Sequence, residues 1–467
     1  MTEQTPNPVP PSIFERMRAR LVPEGMPADE RGRMRMVVDS LILHIHPTKV
    51  PANTLRWTYT WGLGGLSAVL MMILGLTGVI LLNNYTPAAP QAYLDILELR
   101  SNVWFGELVR NLHHWSANLL IVIATLHLVR VFLTGSYRPP RELNWLIGVL
   151  MLVLILGANF TGYLLPWDQL AYWAITVGTS IISYVPLIGQ WLSRLVLGGP
   201  EVGPNTLLNF YSMHIALIPL AIFGLMSYHF WRVRKDGGLT QPKGFDDAEA
   251  PKSERVTTIP HLVRKETIYA LAWMAALLVF AMLVPAPLEG IANPDVSPNP
   301  AKAPWYFLGL QELLLHFHPL GAGVILPLLA GLGIFLLPFF DVNQASVGVY
   351  FRSRRGRALS TLAAGLALLL TPAWVLLDEF VLDWNAWLPT WPTLISNGLI
   401  PLSILLLPLI LLDEWMVKTF DGNTEERVIF LVTFIFTAFL VLTVIGIFFR
   451  GPGMSLYWPW AMPAAGH

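Results

Sequence analysis

Residues 110–130 read RNLHHWSANLLIVIATLHLVR, an apolar run with His113 near one end and His127, fourteen residues on, near the other. An α-helix rises 1.5 Å and turns 100° per residue, so fourteen residues cover ~21 Å with a net rotation of ~40°. A second stretch, HIALIPLAIFGLMSYH at 214–229, sets His214 and His229 fifteen residues apart. That separation gives ~22 Å and ~60°. Each helix therefore offers two imidazoles on roughly one face, near opposite sides of a bilayer core ~30 Å thick.

The surrounding chain is that of a membrane protein. Of its 467 residues 54% are hydrophobic and 13% charged, too apolar for a soluble domain. A span needs roughly 20 apolar residues. Candidates lie at about 57–83, 104–133, 143–165, 206–231, 267–288, 322–340, 358–377, 396–413 and 427–449. The fold class expected is all-α, a polytopic transmembrane helical bundle of about nine spans. A formal net charge of zero removes any electrostatic case for nucleic acid. The absence of cysteine excludes disulfides and thiolate-held clusters and leaves histidine as the natural metal ligand. The N-terminus is polar, with no apolar run before residue 57, so no cleavable signal peptide is expected.

Charge sets the orientation, because positive residues favour cytoplasmic loops. They gather before the first span (Arg31, Arg33, Arg35, Lys49) and between the second and third (Arg138, Arg141). They recur between the fourth and fifth (Arg232 to Lys265) and the sixth and seventh (Arg352, Arg354, Arg355, Arg357). The N-terminus is then cytoplasmic, and the second and fourth spans both run from outside to inside. The chain divides into a cytoplasmic tail (1–55), a four-helix part (56–233) and a flexible linker (234–265). A C-terminal part (266–345), a two-helix insertion (346–420) and a last helix with an outer-face tail (421–467) follow. The outside stretches 166–205 and 289–320 are long for connectors, and long ordered loops on one face often carry function.

Parallel second and fourth spans let His113 meet His214 near the outer surface and His127 meet His229 near the inner one. A lone histidine in a span is as readily a hydrogen-bonded interior residue as a ligand. Two matched pairs on parallel helices are much harder to explain by packing, since polar groups in a membrane are costly. Imidazole is a natural axial ligand for iron, and a planar porphyrin needs six-coordinate iron held between two helices. His113, His214, His127 and His229 are therefore candidate ligands of two stacked, non-covalent b-type haems; His114 is turned ~100° away from His113. Gly64 and Gly78 on the first span, and Gly148 and Gly162 on the third, repeat the fourteen-residue spacing. Glycine admits close approach to a backbone, so the four suggest gaps at the same two depths, although small-residue helix packing also uses glycine. Arg110 and Arg130 lie one turn outward of His113 and His127. Each is placed to bind a haem propionate, with snorkelling as the plainer explanation.

With these residues the sequence strongly resembles the cytochrome b family. The resemblance rests on R-x-x-H-x13-H-x-x-R (110–130), GSYRPPRELNW (135–145), GYLLPWDQLAYWA (162–174) and NFYSMHIALIPL (209–220). It covers about residues 40–345 and again 427–460. The fourteen residues between His214 and His229, and Trp167-Asp168-Gln169, resemble the split, chloroplast-type branch, here with both halves on one chain. The resemblance implies a low-potential haem on His113 and His214 and a higher-potential haem on His127 and His229. It implies a quinol pocket at the outer face, with Tyr163, Pro304, Trp305 and Tyr306 at the reacting centre. One electron then goes to a Rieske iron–sulfur protein, and the other crosses both haems to quinone at the inner face. A cytochrome c subunit, a homodimeric complex and the bacterial cytoplasmic membrane are implied with it. His44, His46 and Arg232 are candidates for the inner quinone site.

The chain also departs from the family. Where Pro-Glu-Trp-Tyr is usual it has Ala303-Pro304-Trp305-Tyr306, so the carboxylate that takes a quinol proton is missing. Glu312, two helical turns on, is the proposed substitute acceptor; a local cap or ion pair explains it equally well. The altered motif leans towards menaquinone. An arginine usual before the third haem ligand is Asn209 here, and the missing cysteine argues against a covalent third haem. The insertion exceeds the usual plan. Its stretch 398–413 faintly echoes 324–341, and it is expected to meet another subunit. The tail FFRGPGMSLYWPW (448–460) resembles that of members whose tail meets a cytochrome c. Two rivals stay open: a haem-bearing anchor of a dehydrogenase, and a haem-free transporter with a histidine proton relay.

Overall fold

The computed structural model describes residues 25, 27–39, 46–340, 346–420 and 423–463. Among them nine helices are long and apolar enough to cross a membrane: α1 (Leu63–Asn84), α2 (Gly106–Leu133), α3 (Glu142–Leu164), α4 (Pro204–Lys235), α5 (Thr258–Leu283), α6 (Leu320–Phe340), α7 (Arg354–Phe380), α8 (Ile395–Trp415) and α9 (Thr424–Phe448). The chain is thus an all-α, multi-pass bundle. The only sheet among the described residues pairs β1 (Lys49–Pro51) antiparallel with β2 (Arg255–Thr257).

Local sequence explains where the helices begin. Ser353 caps α7 by accepting from the Gly356 N–H. Asn423 and Glu426 form a capping box at the start of α9, the pattern that satisfies two orphan N–H groups reciprocally. Helix α5 starts nine residues before the expected 267, because its charged first turns extend beyond the apolar stretch. Ile259 there is extended, as the residue before a proline prefers to be.

Helices α1 to α4 enclose one core, in which Leu66 and Leu70 meet Leu120, Ile121 and Ile222. Helix α6 is tied to α3 by the Trp145 indole N–H, which donates to the Ile334 carbonyl at 2.7 Å. In the insertion α7 is internal: Leu359, Ala363 and Ala367, spaced by four, pack on Phe430 and Phe434 of α9. Small residues at that spacing let membrane helices approach closely. Helix α8 carries the outward face, with Leu407, Ile410 and Leu411 exposed.

Two expectations need correction. The linker is not a free tether, since Lys243 N–H bonds the Gly348 carbonyl at 3.1 Å and Ala52 N–H the Glu254 carbonyl at 2.9 Å, alongside the β1–β2 pair. Nor do the arginines of these connections only mark charge. Arg138 and Arg352 are 1% and 4% exposed. Arg138 donates to Ser346 at 2.7 Å and pairs with Glu425 at 3.2 Å, while Arg352 donates to the Tyr137 hydroxyl at 2.6 Å. A buried cation needs such partners, and these lock the connection after α2 to the connection before α7.

Candidate haem and quinol sites

Helices α2 and α4 bring His113 and His214 opposite each other, with ring centroids 6.1 Å apart and planes at 69°. A nitrogen ligand stands about 2.0–2.1 Å from its metal; two such bonds plus two ring radii give a centroid separation of roughly 6 Å. His127 and His229 also lie within electrostatic reach of each other.

Hydrogen bonds fix which ring nitrogen is free. His214 Nδ1 lies 2.9 Å from the Ala158 carbonyl, which only accepts, so Nδ1 carries the proton. His113 Nδ1 lies 2.9 Å from Thr77 Oγ1, and that hydroxyl spends its own proton on the Ile73 carbonyl at 2.7 Å. Thr77 therefore accepts from Nδ1–H. In both rings the Nε2 lone pair is left for a metal, the arrangement by which a second partner orients a metal-binding imidazole.

The four glycines face these rings one to one. A Cβ would stand 3.2 Å from His127 Cε1 at Gly64 and 3.3 Å from His113 Cε1 at Gly78. At Gly148 it would stand 3.7 Å from His229 Cε1, and at Gly162 2.5 Å from His214 Cε1. Helix α1 thus receives the imidazoles of α2, and α3 those of α4. The glycines make room for the ligands themselves, a sharper role than the gaps expected from spacing alone.

The unequal histidine spacings are reconciled by a π-turn at Met213–Leu217. Pro219 follows and has no N–H for the regular ladder, and the Ile218 N–H reaches back to the Met213 carbonyl instead. Such a turn takes up one extra residue. Fifteen residues on α4 then come into nearly the same register as fourteen on α2, replacing the ~60° offset of an unbroken helix.

The two arginines behave differently. Arg110 is committed to the loop after α5, donating to the Ala286 and Pro287 carbonyls at 2.9 and 2.6 Å. Arg130 gives its Nε–H to the Tyr59 carbonyl at 3.1 Å and stacks over the Tyr59 ring at 4.4 Å. Its Nη2 is buried with no hydrogen-bond partner among the described residues, as a site awaiting a carboxylate would have it. The donor set, the glycine cradle and this orphan Nη2 fit b-type haem. Asn209, in place of the usual arginine, faces the Leu195 and Val196 carbonyls at 3.4 and 3.3 Å and ties the helix Gly189–Leu197 to α4.

At the other candidate site, Trp167-Asp168-Gln169 staples the stretches 166–205 and 289–320 together. Asp168 Oδ1 caps the helix Gln169–Ile182 by accepting from Ala171 N–H at 2.9 Å, and Oδ2 accepts from Glu289 N–H at 3.2 Å. Gln169 N–H donates to the Gly290 carbonyl, and its side-chain oxygen accepts from Asn293 N–H at 2.6 Å. Burial raises the Asp168 pKa, against the opposing pull of those two backbone N–H groups and Arg110. The Trp305 indole N–H donates to Asn118 on α2 at 2.6 Å. Tyr306 is buried, and burial, then the neighbouring Tyr163, hold its phenol above the ordinary range. Gln311 clasps the segment before Pro304, accepting from Ala303 N–H and donating to the Ala301 carbonyl, both at 2.7 Å. Asp168→Ala is expected to remove the cap, worth about 1 kcal/mol, and to strand the Glu289 N–H. Quinol KM should rise several-fold with haem content unchanged, read by steady-state kinetics and a reduced-minus-oxidised spectrum.

Glu312 does not fill the proposed acceptor role. It is 1% exposed, and both carboxylate oxygens accept from Arg450 Nε–H at 3.0 Å, with Nη2 of Arg450 at 2.6 Å from Oε1. Burial opposes its charge, but hydrogen bonds from His316 and Arg450 outweigh it and hold the carboxyl below its ordinary value. A carboxylate so held is a poor base, and the local ion pair is the better account. His44 lies outside the described residues. His46 meets Glu266 at 3.0 Å and Arg232 meets Asp236 at 2.9 Å, so each has a partner of its own. Thr77 and Gln311 carried no motif by which sequence could single them out, and Asn118 and Arg450 lay inside quoted motifs without being singled out.

Comparison with known proteins gives the family. The family described as Cytochrome b(N-terminal)/b6/petB matches residues 118–291. The cytochrome bc complex cytochrome b subunit of Chlorobaculum thiosulfatiphilum is 36% identical over 315 residues, 66% of this chain and 72% of that protein. The menaquinol:cytochrome c reductase cytochrome b subunit of Bacillus subtilis is 44% identical over 180 residues, 38% of this chain and 80% of its own. A solved structure of a hyperthermophilic respiratory Complex III has the same fold, with TM-score 0.60 at 24% identity over 84% of this chain and 92% of that one. The chain belongs to the cytochrome b family. It is the cytochrome b of a bc-type oxidoreductase complex, a multi-pass electron-transport subunit, and the two rival classes fall away.

Proposed function

We propose that this chain binds two b-type haems, on His113 with His214 and on His127 with His229, and oxidises quinol beside Trp305 and Tyr306. The observation that carries this reading is the one-to-one facing of four imidazoles by four glycines at two depths. One electron of each quinol leaves for a Rieske iron–sulfur partner, and the other crosses to an inner quinone site through carriers that the bound haems supply. Hydrocarbon ~30 Å thick is too wide for a single hop, which is why two sites are stacked.

The protein's own residues do the rest. Ala158 and Thr77 hold the outer pair of rings in the ligating tautomer, and Arg130 offers its spare N–H to a propionate near the inner surface. Tyr163, Pro304, Trp305 and Tyr306 line the quinol pocket, which the Asp168 and Gln169 staples and the Gln311 clasp keep closed. Release of protons outside and uptake inside would add to a proton gradient. The alternation of positive loops supports a cytoplasmic N-terminus in the bacterial cytoplasmic membrane. The name of the Bacillus relative favours menaquinol as substrate and a cytochrome c as partner; a homodimeric complex is the expected assembly. The test is the intact complex in sealed vesicles. Menaquinol should reduce b-type haem and acidify the outer compartment, and haem that menaquinol leaves oxidised would overturn the reading.

A further inference from the structure

The inserted helix α7 delivers Asp378 to the short helix Leu308–His316 that follows Trp305 and Tyr306, and Glu379 to Arg450 beside it. His316 is buried, with Nδ1 2.7 Å from Asp378 Oδ2 and Nε2 3.3 Å from Glu312 Oε1. Arg450, just beyond α9, forks onto Glu312, donates to Glu379 at 2.9 Å and stands 3.4 Å from His316 Nε2. Lys302 lies within electrostatic reach of Glu312. Three carboxylates here face Arg450, Lys302 and one imidazole, so a neutral ring leaves one negative charge in excess, beside His316, Glu312 and Arg450 side chains at most 2% exposed, with Asp378 at 12% and Glu379 at 24%. Both ring nitrogens point at carboxylate oxygens, and only an imidazolium has two N–H groups to give.

We propose that His316, as an imidazolium bridging Asp378 and Glu312, is a positioning residue of the quinol pocket. It docks the helix Leu308–His316, and with it the Trp305–Phe307 turn, onto the inserted helix α7. The insertion therefore has a task inside this chain: it completes the scaffold behind the pocket. The inference rests on the placement of quinol beside Trp305 and Tyr306.

The sign of the pH dependence follows. Burial works against the charge on His316, but Asp378 and Glu312 outweigh it and raise its pKa. A raised basic group contributes its full docking energy below its unfolded pKa and loses it as pH rises through the folded one. On deprotonation Nε2 can accept from Arg450 instead, and the bond to Glu312 is given up.

The experiment follows quinol oxidation against pH in the intact complex for the wild type, Asp378→Asn, Asp378→Glu and His316→Gln, with the b-haem spectrum of each. Wild-type KM for quinol should rise on the alkaline side. Asp378→Asn should move that limb about one to two pH units lower, and Asp378→Glu should return most of it. His316→Gln should show no limb and a KM raised about tenfold at every pH, or about 1.4 kcal/mol, with haem content unchanged. An unmoved limb in Asp378→Asn overturns the inference. So does a wild-type KM that stays flat through the alkaline range, which decides the matter even if no variant assembles. A wild-type complex that fails to oxidise quinol defeats the functional reading; one that oxidises it with an unmoved limb defeats only this inference.

Discussion

Replacing His214 by leucine is expected to remove the outer haem and leave the inner one in place. His214 is held by the Ala158 carbonyl at Nδ1 and stands opposite His113, the ring centroids 6.1 Å apart. A leucine side chain offers no lone pair, and one remaining imidazole cannot give six-coordinate iron. Loss of a partner that only orients a ligand already costs 10–100-fold in affinity for many metal sites, so loss of the ligand should exceed a hundredfold. His113→Leu should give the same spectrum as His214→Leu. His127→Leu and His229→Leu should give a second, different spectrum in which the inner haem is missing. This sorting of four variants into two classes tests the pairing directly. Electron transfer to the inner quinone site should fall to background in all four, because neither haem alone bridges the bilayer. Four distinct spectra, or a pairing of His113 with His127, would contradict the geometry.

Gly162→Val should come close to a ligand deletion, although it touches no ligand atom by chemistry. A Cβ at this position stands 2.5 Å from His214 Cε1 and 2.9 Å from Nδ1, so the ring must leave its place and lose the Ala158 bond. The ring cannot yield as a surface side chain would, since the macrocycle needs it in one orientation. Gly148→Ala is the control: its Cβ would stand 3.7 Å from His229 Cε1, an ordinary contact, and haem content should be nearly unchanged. Gly64→Ala and Gly78→Ala, at 3.2 and 3.3 Å, should fall between. The measurement is haem per chain across the series, and a loss that does not follow the order of these distances would count against the cradle.

The facing of four histidines by four glycines was legible because it is written in spacing. Fourteen residues on α1, α2 and α3 recur without any tertiary information, and the structure brings those positions face to face. The fifteen on α4 hid a π-turn, whose one outward sign is Pro219; proline two residues past such a turn recurs at Pro327 after Leu320–Ile325 and at Pro401 after Ile395–Leu399. The loop cluster around Trp305 and Tyr306 was legible only in part. Trp167-Asp168-Gln169 was visible as a motif, but its work lies in bonds to residues 289–293, more than a hundred positions away. Glu312 was singled out because helical periodicity places it two turns from Trp305. Periodicity gives a face and not a partner, and Arg450 is 138 residues on. Arg138 and Arg352 were read by charge alone, and charge does not tell a loop marker from a buried clamp.

Counting haem in the purified protein tests the central claim most directly. The pairing of His113 with His214 and of His127 with His229 requires about two extractable b-type haems per chain, both low-spin with two nitrogen ligands. One haem per chain, none, or haem that resists extraction would contradict it.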